Sequence, residues 1–248
     1  MILKSISVDC VIFGFQNNKI NVLLWQADPG LLEKFLTTTQ EYEESKEIFE
    51  KNPALKSDQY WGLIGTHLPT DEDLDDYAKK ILQVATGLKD IFLKQFQTFG
   101  SKDRVPHYRV LTVAYYALIN PEYHNLELSS IAKSVKWFEI DKLPELIFDS
   151  KEIIHRALKK LREEVQYHPL GFHLLPDKFT LTQLQTLYEV ILGKSLDTRN
   201  FRKKIQNMGL LIDTNEKQTN VAHRAAKLYS FDVEIYNHLK EEGLNFRI

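Results

Sequence analysis

The period of apolar and polar positions changes several times along the chain, and each change marks an element. Ile6, Val8, Cys10, Ile12 and Phe13 alternate and then run together, and Ile20, Val22, Leu23, Leu24 and Trp25 follow the polar stretch Gln16-Asn17-Asn18-Lys19. Apolar runs on either side of a turn predict a β-hairpin, which Pro29-Gly30 breaks. Leu31 to Gln59 carries Glu33, Glu41, Glu43, Glu44, Glu47 and Glu50 among scattered apolar residues. It reads as an acidic helical insertion or a loop, with no role assigned. Tyr60 to Leu68 reads as a short strand. From Asp71, Leu74, Tyr77, Ala78, Ile81, Leu82 and Ala85 fall on one helical stripe, acidic at its start as the helix dipole favours, with Gly87 as the stop. Strands are expected at Ile91 to Phe99, Val110 to Ile119 and Val135 to Ile140, the first two separated by a polar turn, Gly100 to His107. Strands interrupted by helices make this part α+β or α/β.

The pattern changes after Ile140. Asp149 and Glu152 have capping-box spacing ahead of a helical stripe of Ile153, Ile154, Ala157, Leu158, Leu161 and Val165. Phe172 to Phe179 contains Pro176 and reads as a connector. Thr180 and Gln183 form a second capping box, with Leu181, Leu184, Leu187, Tyr188 and Ile191 behind it and Gly193 as the stop. A third helix is expected from near Asp197 to Gly209, then a hairpin of Leu210 to Ile212 and Ala226 to Phe231 around a polar turn, Asp213 to Asn220. Helix, short turn, helix and hairpin is the winged-helix order. The chain therefore divides into residues 1–167 and 168–248.

Composition narrows the class. The chain has 248 residues, 43% hydrophobic and 27% charged, and one cysteine. That is a globular composition with enough length to bury a core. A single thiol excludes an internal disulfide or Cys-based zinc site, and Cys10 reads as a small buried hydrophobe. No run approaches a membrane span and no signal peptide opens the chain, so the expected location is cytoplasmic, with no membrane partner. The formal net charge of −2 is unevenly spread. Lys194, Arg199, Arg202, Lys203, Lys204, Lys217, Arg224 and Lys227 face only Asp197, Asp213 and Glu216 within that segment. A basic segment on an acidic chain points to a nucleic-acid partner.

The helix beginning near Asp197 carries the chemistry for that partner. Phe201, Ile205 and Met208, with Thr198 at the margin, share an inward arc. Arg199, Lys203, Gln206 and Asn207 lie opposite, flanked by Asn200 and Arg202. Arg and Lys bond guanine O6 and N7, Asn and Gln bond adenine N6 and N7, and spare cations neutralise phosphates. The hairpin adds Lys217, His223, Arg224 and Lys227 for phosphate or minor-groove contact. Arg199, Asn200, Arg202, Lys203, Gln206, Arg224 and Lys227 are the DNA-contact candidates.

Tyr60-Trp61-Gly62-Leu63-Ile64-Gly65, then Glu72 and Thr86-Gly87-Leu88, resemble the Nudix box, G-x5-E-x7-R-E-U-x-E-E-x-G-U with U a bulky aliphatic residue. Anchored on Gly87 and Leu88, the opening glycine falls on Thr66, the first glutamate on Glu72 and the arginine on Lys80. The other three glutamates fall on Ile81, Val84 and Ala85. In the family these glutamates hold divalent cations that polarise a pyrophosphate and activate water, and hard cations need oxygen ligands that Ile81, Val84 and Ala85 lack. No metal, cofactor or catalytic residue is therefore expected. Further along, Asp103-Arg104, Ala114-Tyr115-Tyr116-Ala117-Leu118-Ile119, Phe179-Thr180-Leu181-Thr182-Gln183-Leu184-Gln185, Tyr188-Glu189 and Arg199-Asn200-Phe201-Arg202-Lys203-Lys204-Ile205 resemble one family: Nudix-related bacterial transcriptional regulators. The resemblance implies an α+β chain, a Nudix-like α/β/α sandwich followed by a winged helix-turn-helix. It also implies a homodimeric repressor or activator that binds double-stranded operator DNA and responds to a small effector. Some members respond to ADP-ribose-type nucleotides and control NAD metabolism; others respond to sugars such as arabinose and control carbohydrate use.

The candidate effectors are a sugar, a sugar phosphate or an ADP-ribose-like molecule, and the few basic residues around the box favour a sugar or sugar derivative over a nucleotide diphosphate. Trp61 offers a face for a sugar, Asp9 an acceptor for hydroxyls, and Arg104 and Arg109 a grip on phosphate. Each has a structural alternative, Trp61 as core, the arginines as ion pairs or turn supports, and Asp9 as a hydrogen-bonded buried carboxylate. A competing reading is a Nudix hydrolase of ADP-ribose or nucleoside diphosphate sugars, with a displaced metal site among Asp71, Asp73, Asp75 and Asp76. A third, a protein-interaction module built on the acidic insertion, has no feature that singles it out.

Overall fold

The computed structural model describes residues 6–27, 51, 60–106, 109–127, 131–219, 224–241 and 248. The expected acidic insertion, apart from Lys51, and His223 lie outside them. The elements are β1 (Ile6–Gln16), β2 (Lys19–Ala27), β3 (Ile64–His67), α1 (Leu74–Thr86), β4 (Lys94–Phe99), β5 (Leu111–Ile119) and β6 (Ala132–Glu139). They continue with α2 (Ser150–Val165), α3 (Leu181–Leu192), α4 (Thr198–Asn207), β7 (Leu211–Lys217), β8 (Lys227–Phe231) and α5 (Val233–Glu241). The chain divides into two compact units, Met1–Gln16 with Ile20–Leu158 and Asn17–Lys19 with Lys159–Ile248. The division falls inside α2, ahead of the boundary expected after residue 167.

In the first unit the sheet order is β4-β5-β1-β2-β6, with β3 also paired to β1. β1 runs parallel to β5, from Ile6 opposite Leu111 to Gly14 opposite Ile119, and antiparallel to β3. The β1–β2 turn has Asn17 at φ 53 and Asn18 at φ 55, the positive pair that a tight two-residue hairpin requires and that asparagine tolerates. Val11, Ile12 and Phe13 are all fully buried. A strand covered on both faces has no need to alternate, which is why this stretch reads as a continuous apolar run.

One face of the sheet packs on α1. Val8, Cys10, Ile12, Val113, Tyr115 and Ala117 meet Tyr77, Ala78, Ile81, Leu82 and Ala85 in a single apolar cluster. Leu74, expected on the stripe, is only partly buried. Cys10 is buried, its thiol 3.7 Å from the Ala78 carbonyl oxygen. Gly87 ends α1 at φ 76, and its N–H donates to the Gln83 carbonyl. A Cβ at this position would come within 2.8 Å of Glu127 in a conformation that side chains disfavour. Strand β4 starts three residues later than the apolar pattern suggests, and its register shifts between Gln95 and Gln97.

The second unit follows the winged-helix order. Thr180 and Gln183 form a complete capping box at α3, Gly193 stops that helix at φ 67, and Asp197 caps α4 by accepting from the Asn200 N–H. β7 is longer than its apolar residues suggest, because polar residues also pair: Thr214 Oγ1 donates to the Leu228 carbonyl at 2.8 Å. Phe179 in the expected connector bridges Tyr229 of β8, and Phe172 stacks on Phe231 at 4.2 Å. α5 has no counterpart among the expected elements. The capping box expected at Asp149 is replaced by ion pairs: both Asp149 oxygens accept from Arg104, and Glu152 pairs with Arg156 at 2.7 Å. Among the described residues no helix is long and apolar enough to cross a membrane.

Candidate functional site

α4 exposes one polar face. Phe201 and Ile205 are buried and Met208 partly so, while Arg199, Asn200, Arg202, Lys203, Lys204, Gln206 and Asn207 are exposed. The 3.6-residue period puts the buried pair on one side and Arg199, Lys203 and Gln206 on the other. Phe201 packs against Tyr188 of α3 with ring centroids 5.8 Å apart, fixing how closely the two helices approach. Arg202 reaches back to Thr182 Oγ1 at 3.1 Å. On the hairpin, Arg224 is exposed, whereas Lys227 is paired with Asp213 at 2.7 Å. That contact, with the Asn215 N–H behind it, holds the Asp213 carboxyl below its usual range and raises the Lys227 ammonium.

On α1 the positions of the three later box glutamates have become packing positions. Ile81 and Ala85 are fully buried against the sheet, and Val84 is partly buried beside them. What the box retains is structural. Gly87 supplies the left-handed stop, Leu88 is buried, and Lys80 pairs with Glu72 as the box arginine and glutamate positions would. The neighbouring acids have partners, Asp75 accepting from Tyr115 Oη at 2.5 Å and Asp76 pairing with Lys79 at 3.2 Å. Among the described residues no three His, Cys, Asp or Glu side chains gather so as to hold a metal.

A buried charge cluster lies where β1, β5 and the start of α2 come together. Arg104 has a side chain only 5% exposed. Its Nε and Nη2 donate to the two oxygens of Asp149, both at 2.8 Å, a bidentate fork. Its Nη1 donates to Thr112 Oγ1, which is 2.6 Å from Ser7 Oγ. Asp9 Oδ2 lies 3.9 Å from Arg104 Nη2. Opposite Asp9 stands Gly65 of β3, where a Cβ would meet Val8 O at 2.1 Å and Asp9 Oδ1 at 2.2 Å, so only glycine lets the strands approach. Burial raises the Asp9 carboxyl from 3.8 to about 7, with Arg104 pulling it down and Asp149 pushing it up.

Of the four effector candidates, the fold brings Asp9 and Arg104 together. Arg109 is exposed and donates to the Gly100 carbonyl at 2.6 Å, supporting the turn between β4 and β5. Trp61 is buried edge-on against Phe138 at 4.7 Å, with Lys136 Nζ 5.7 Å from its ring, and its backbone is tied to Glu145 and Ile147. These contacts give Trp61 the packing of a core residue. Asp149 and Thr112, which complete the Arg104 cluster, went unnoticed in the sequence. Asp149 carried a signal, its acidity ahead of a helix, but that signal reads as a cap.

Comparison with known proteins assigns both units. The family model for the NrtR DNA-binding winged helix domain matches residues 171–231. The chain is 28% identical over 222 residues, 88% of this chain and 83% of the relative, to the ADPR responsive transcriptional repressor NtrR of Acinetobacter baylyi. It is 26% identical to Shewanella oneidensis NrtR, solved in complex with a 27mer DNA, at a TM-score of 0.67 over 94% of this chain and 95% of that one. Along most of its length the chain is thus similar to Nudix-related transcriptional regulators. A MutT/nudix family protein of Enterococcus faecalis, 20% identical, shares the fold at a TM-score of 0.65 over 94% of this chain and 88% of that one.

The second unit thus matches a DNA-binding winged helix domain and the first is Nudix-like. The box helix keeps its packing while the positions of the three later box glutamates hold apolar side chains.

Proposed function

We propose that this regulator binds its operator as a homodimer, and that an ADP-ribose-class effector held by the Nudix-like domain gates that binding without being hydrolysed. The observation that carries the proposal is the filling of the box: Ile81 and Ala85 are fully buried core residues where cation-binding glutamates would stand. A domain that keeps the substrate-binding fold and loses the oxygen ligands retains affinity and forfeits the metal-activated water. The name of the Acinetobacter baylyi relative, ADPR responsive, supports an ADP-ribose-type effector. That effector displaces the sugar or sugar derivative that the scarcity of basic residues around the box favoured.

On this account Arg199, Asn200, Lys203 and Gln206 read base edges, while Arg202, Arg224 and Lys227 position the protein on phosphates. Two copies in a symmetric dimer read a pseudo-palindrome. Within the Nudix-like domain Arg109 is exposed and has N–H donors for a phosphate beyond the one given to the Gly100 carbonyl. Arg104 and Asp9, which the fold brings together, are the other two polar candidates for the effector, while Trp61 packs as a core residue. Against the hydrolase reading, which placed a metal among Asp71, Asp73, Asp75 and Asp76, Asp75 and Asp76 are engaged by Tyr115 and Lys79, and Glu72 by Lys80.

A thermal-shift titration tests the effector. A ligand at about 100 times its Kd stabilises the folded state by roughly 2.7 kcal/mol. ADP-ribose is expected to raise the Tm and to be recovered intact after incubation with magnesium. A Tm that rises with arabinose and not with ADP-ribose, or magnesium-dependent loss of ADP-ribose, contradicts the proposal.

A further inference from the structure

α3 carries a polar cluster that neither its packing nor the base-reading face of α4 accounts for. Gln185 and Glu189 are one helical turn apart and share a face. Glu189 Oε1 accepts from the Leu196 N–H at 2.8 Å and from Gln185 Nε2 at 3.0 Å. Gln185 Nε2 is also 3.1 Å from the Leu196 carbonyl oxygen and 3.1 Å from Thr198 Oγ1, so its two hydrogens serve three acceptors. Gln185 is buried. The Glu189 carbonyl takes both the Gly193 N–H at 2.8 Å and the Lys194 N–H at 3.2 Å. Both backbone polar groups of Leu196, two residues before α4, are therefore gripped by α3, one by each side chain. The same two contacts hold the Glu189 carboxyl below its usual range, the Leu196 N–H first and the Gln185 amide second.

Apolar packing alone does not orient α4. The Tyr188–Phe201 contact sets the distance between the helices but is largely non-directional, whereas hydrogen bonds are directional. Side-chain tips on a helix lie about 6 Å from its axis, so a rotation of about 10° displaces them by about 1 Å. That is enough to spoil paired bonds to a base edge. Screened attraction to phosphates tolerates it.

We propose that Gln185 and Glu189 are positioning residues for operator recognition, clamping the turn Gly193–Asp197 and so fixing the rotational setting of α4. The inference rests on reading α4 as the recognition helix. It accounts for Gln185 and Glu189, whose side chains bond to the turn before α4 and not to its outward face.

The test uses the full chain and two probes. One is a duplex that the wild-type protein enriches from a library randomised over about 30 base pairs; the other is a scrambled duplex of equal length and composition. Losing a hydrogen bond to a charged group corresponds to roughly a 10- to 100-fold change. Glu189→Ala is expected to weaken the selected duplex by that factor and the scrambled one by less than about threefold, with circular dichroism unchanged. Glu189→Gln keeps an acceptor for Leu196 and is expected to stay within about fivefold of wild type on both probes. Gln185→Met, which keeps the side-chain length and removes the donors, supplies the same discrimination should Glu189→Ala fail to fold. Equal losses on both duplexes, no loss on either, or a Glu189→Gln variant as weak as alanine overturns the clamp. Lys203→Ala separates the two ideas. If it binds the selected duplex like wild type, the recognition-helix reading fails; if it weakens while Gln185→Met and Glu189→Ala do not, only the clamp fails.

Discussion

Replacing Arg104 by methionine keeps most of the apolar stem and removes the cation that pairs with Asp9 and Asp149. The guanidinium is 5% exposed, and its fork to Asp149 has both arms at 2.8 Å. Breaking a buried pair by deleting one partner costs about 3–5 kcal/mol, because the other charge is left without compensation. Asp149 is 20% exposed and Asp9 21%, so water reaches both carboxylates and the loss falls at the low end, about 3 kcal/mol. For a chain of this size each kcal/mol moves the Tm by about 2–4 °C, giving a fall of about 6–12 °C. Urea denaturation monitored on the tryptophans measures the loss, and a cycle with Asp149→Asn isolates the pair. The double variant is expected to be at least about 1 kcal/mol more stable than the sum of the single losses. A single-variant loss below about 1 kcal/mol, or additivity within about 0.5 kcal/mol, refutes a buried fork that organises the start of α2.

Three further outcomes follow from other parts of the molecule. Ile81→Glu returns a carboxylate to the box at a fully buried position; calorimetry should show a loss of about 3 kcal/mol or more, and a coupled phosphate assay no gain in magnesium-dependent turnover. Asp9 titrates near 7 in the folded protein against an ordinary 3.8, so between those values the native state holds a proton that the unfolded chain has released. Its contribution to stability is full below about pH 4 and is lost as pH rises through 7; Asp9→Asn should flatten that part of a stability–pH profile measured by urea midpoints. Thr180→Ala removes the hydroxyl from a complete capping box and should cost about 1 kcal/mol by the same assay.

Local grammar was legible in the sequence where local physics decides it. The Thr180–Gln183 box, the Gly87 and Gly193 stops and the burial of Phe201 and Ile205 beneath a basic face all follow from neighbours within one helix. Long-range pairing was not legible. Arg104 and Asp149 are 45 residues apart, and nothing in the spacing links them, so Asp149 looked like a helix cap. Trp61 reads from the sequence as either a face for a sugar or a core residue, because Phe138, the ring it packs on, comes from a distant strand. Short polar strands also escape: β7 runs on to Lys217, with Asp213 opposite Tyr229 and Lys217 opposite Lys227 across a register shift, although Asp, Asn, Glu and Lys have little strand propensity. Gln185 and Glu189 were visible as a motif, but their task depends on a backbone turn that periodicity does not describe.

The central claim is that a Nudix-like domain without its metal carboxylates senses an intact nucleotide and controls a winged helix. Fluorescence anisotropy of the selected duplex, titrated with ADP-ribose at fixed protein and salt, tests it most directly. The account predicts a change in duplex affinity of at least about tenfold, the scale of an allosteric coupling of 1.4 kcal/mol, with all the ADP-ribose recovered uncleaved. An affinity that stays constant across saturating ADP-ribose, or a change that tracks its cleavage, would contradict it.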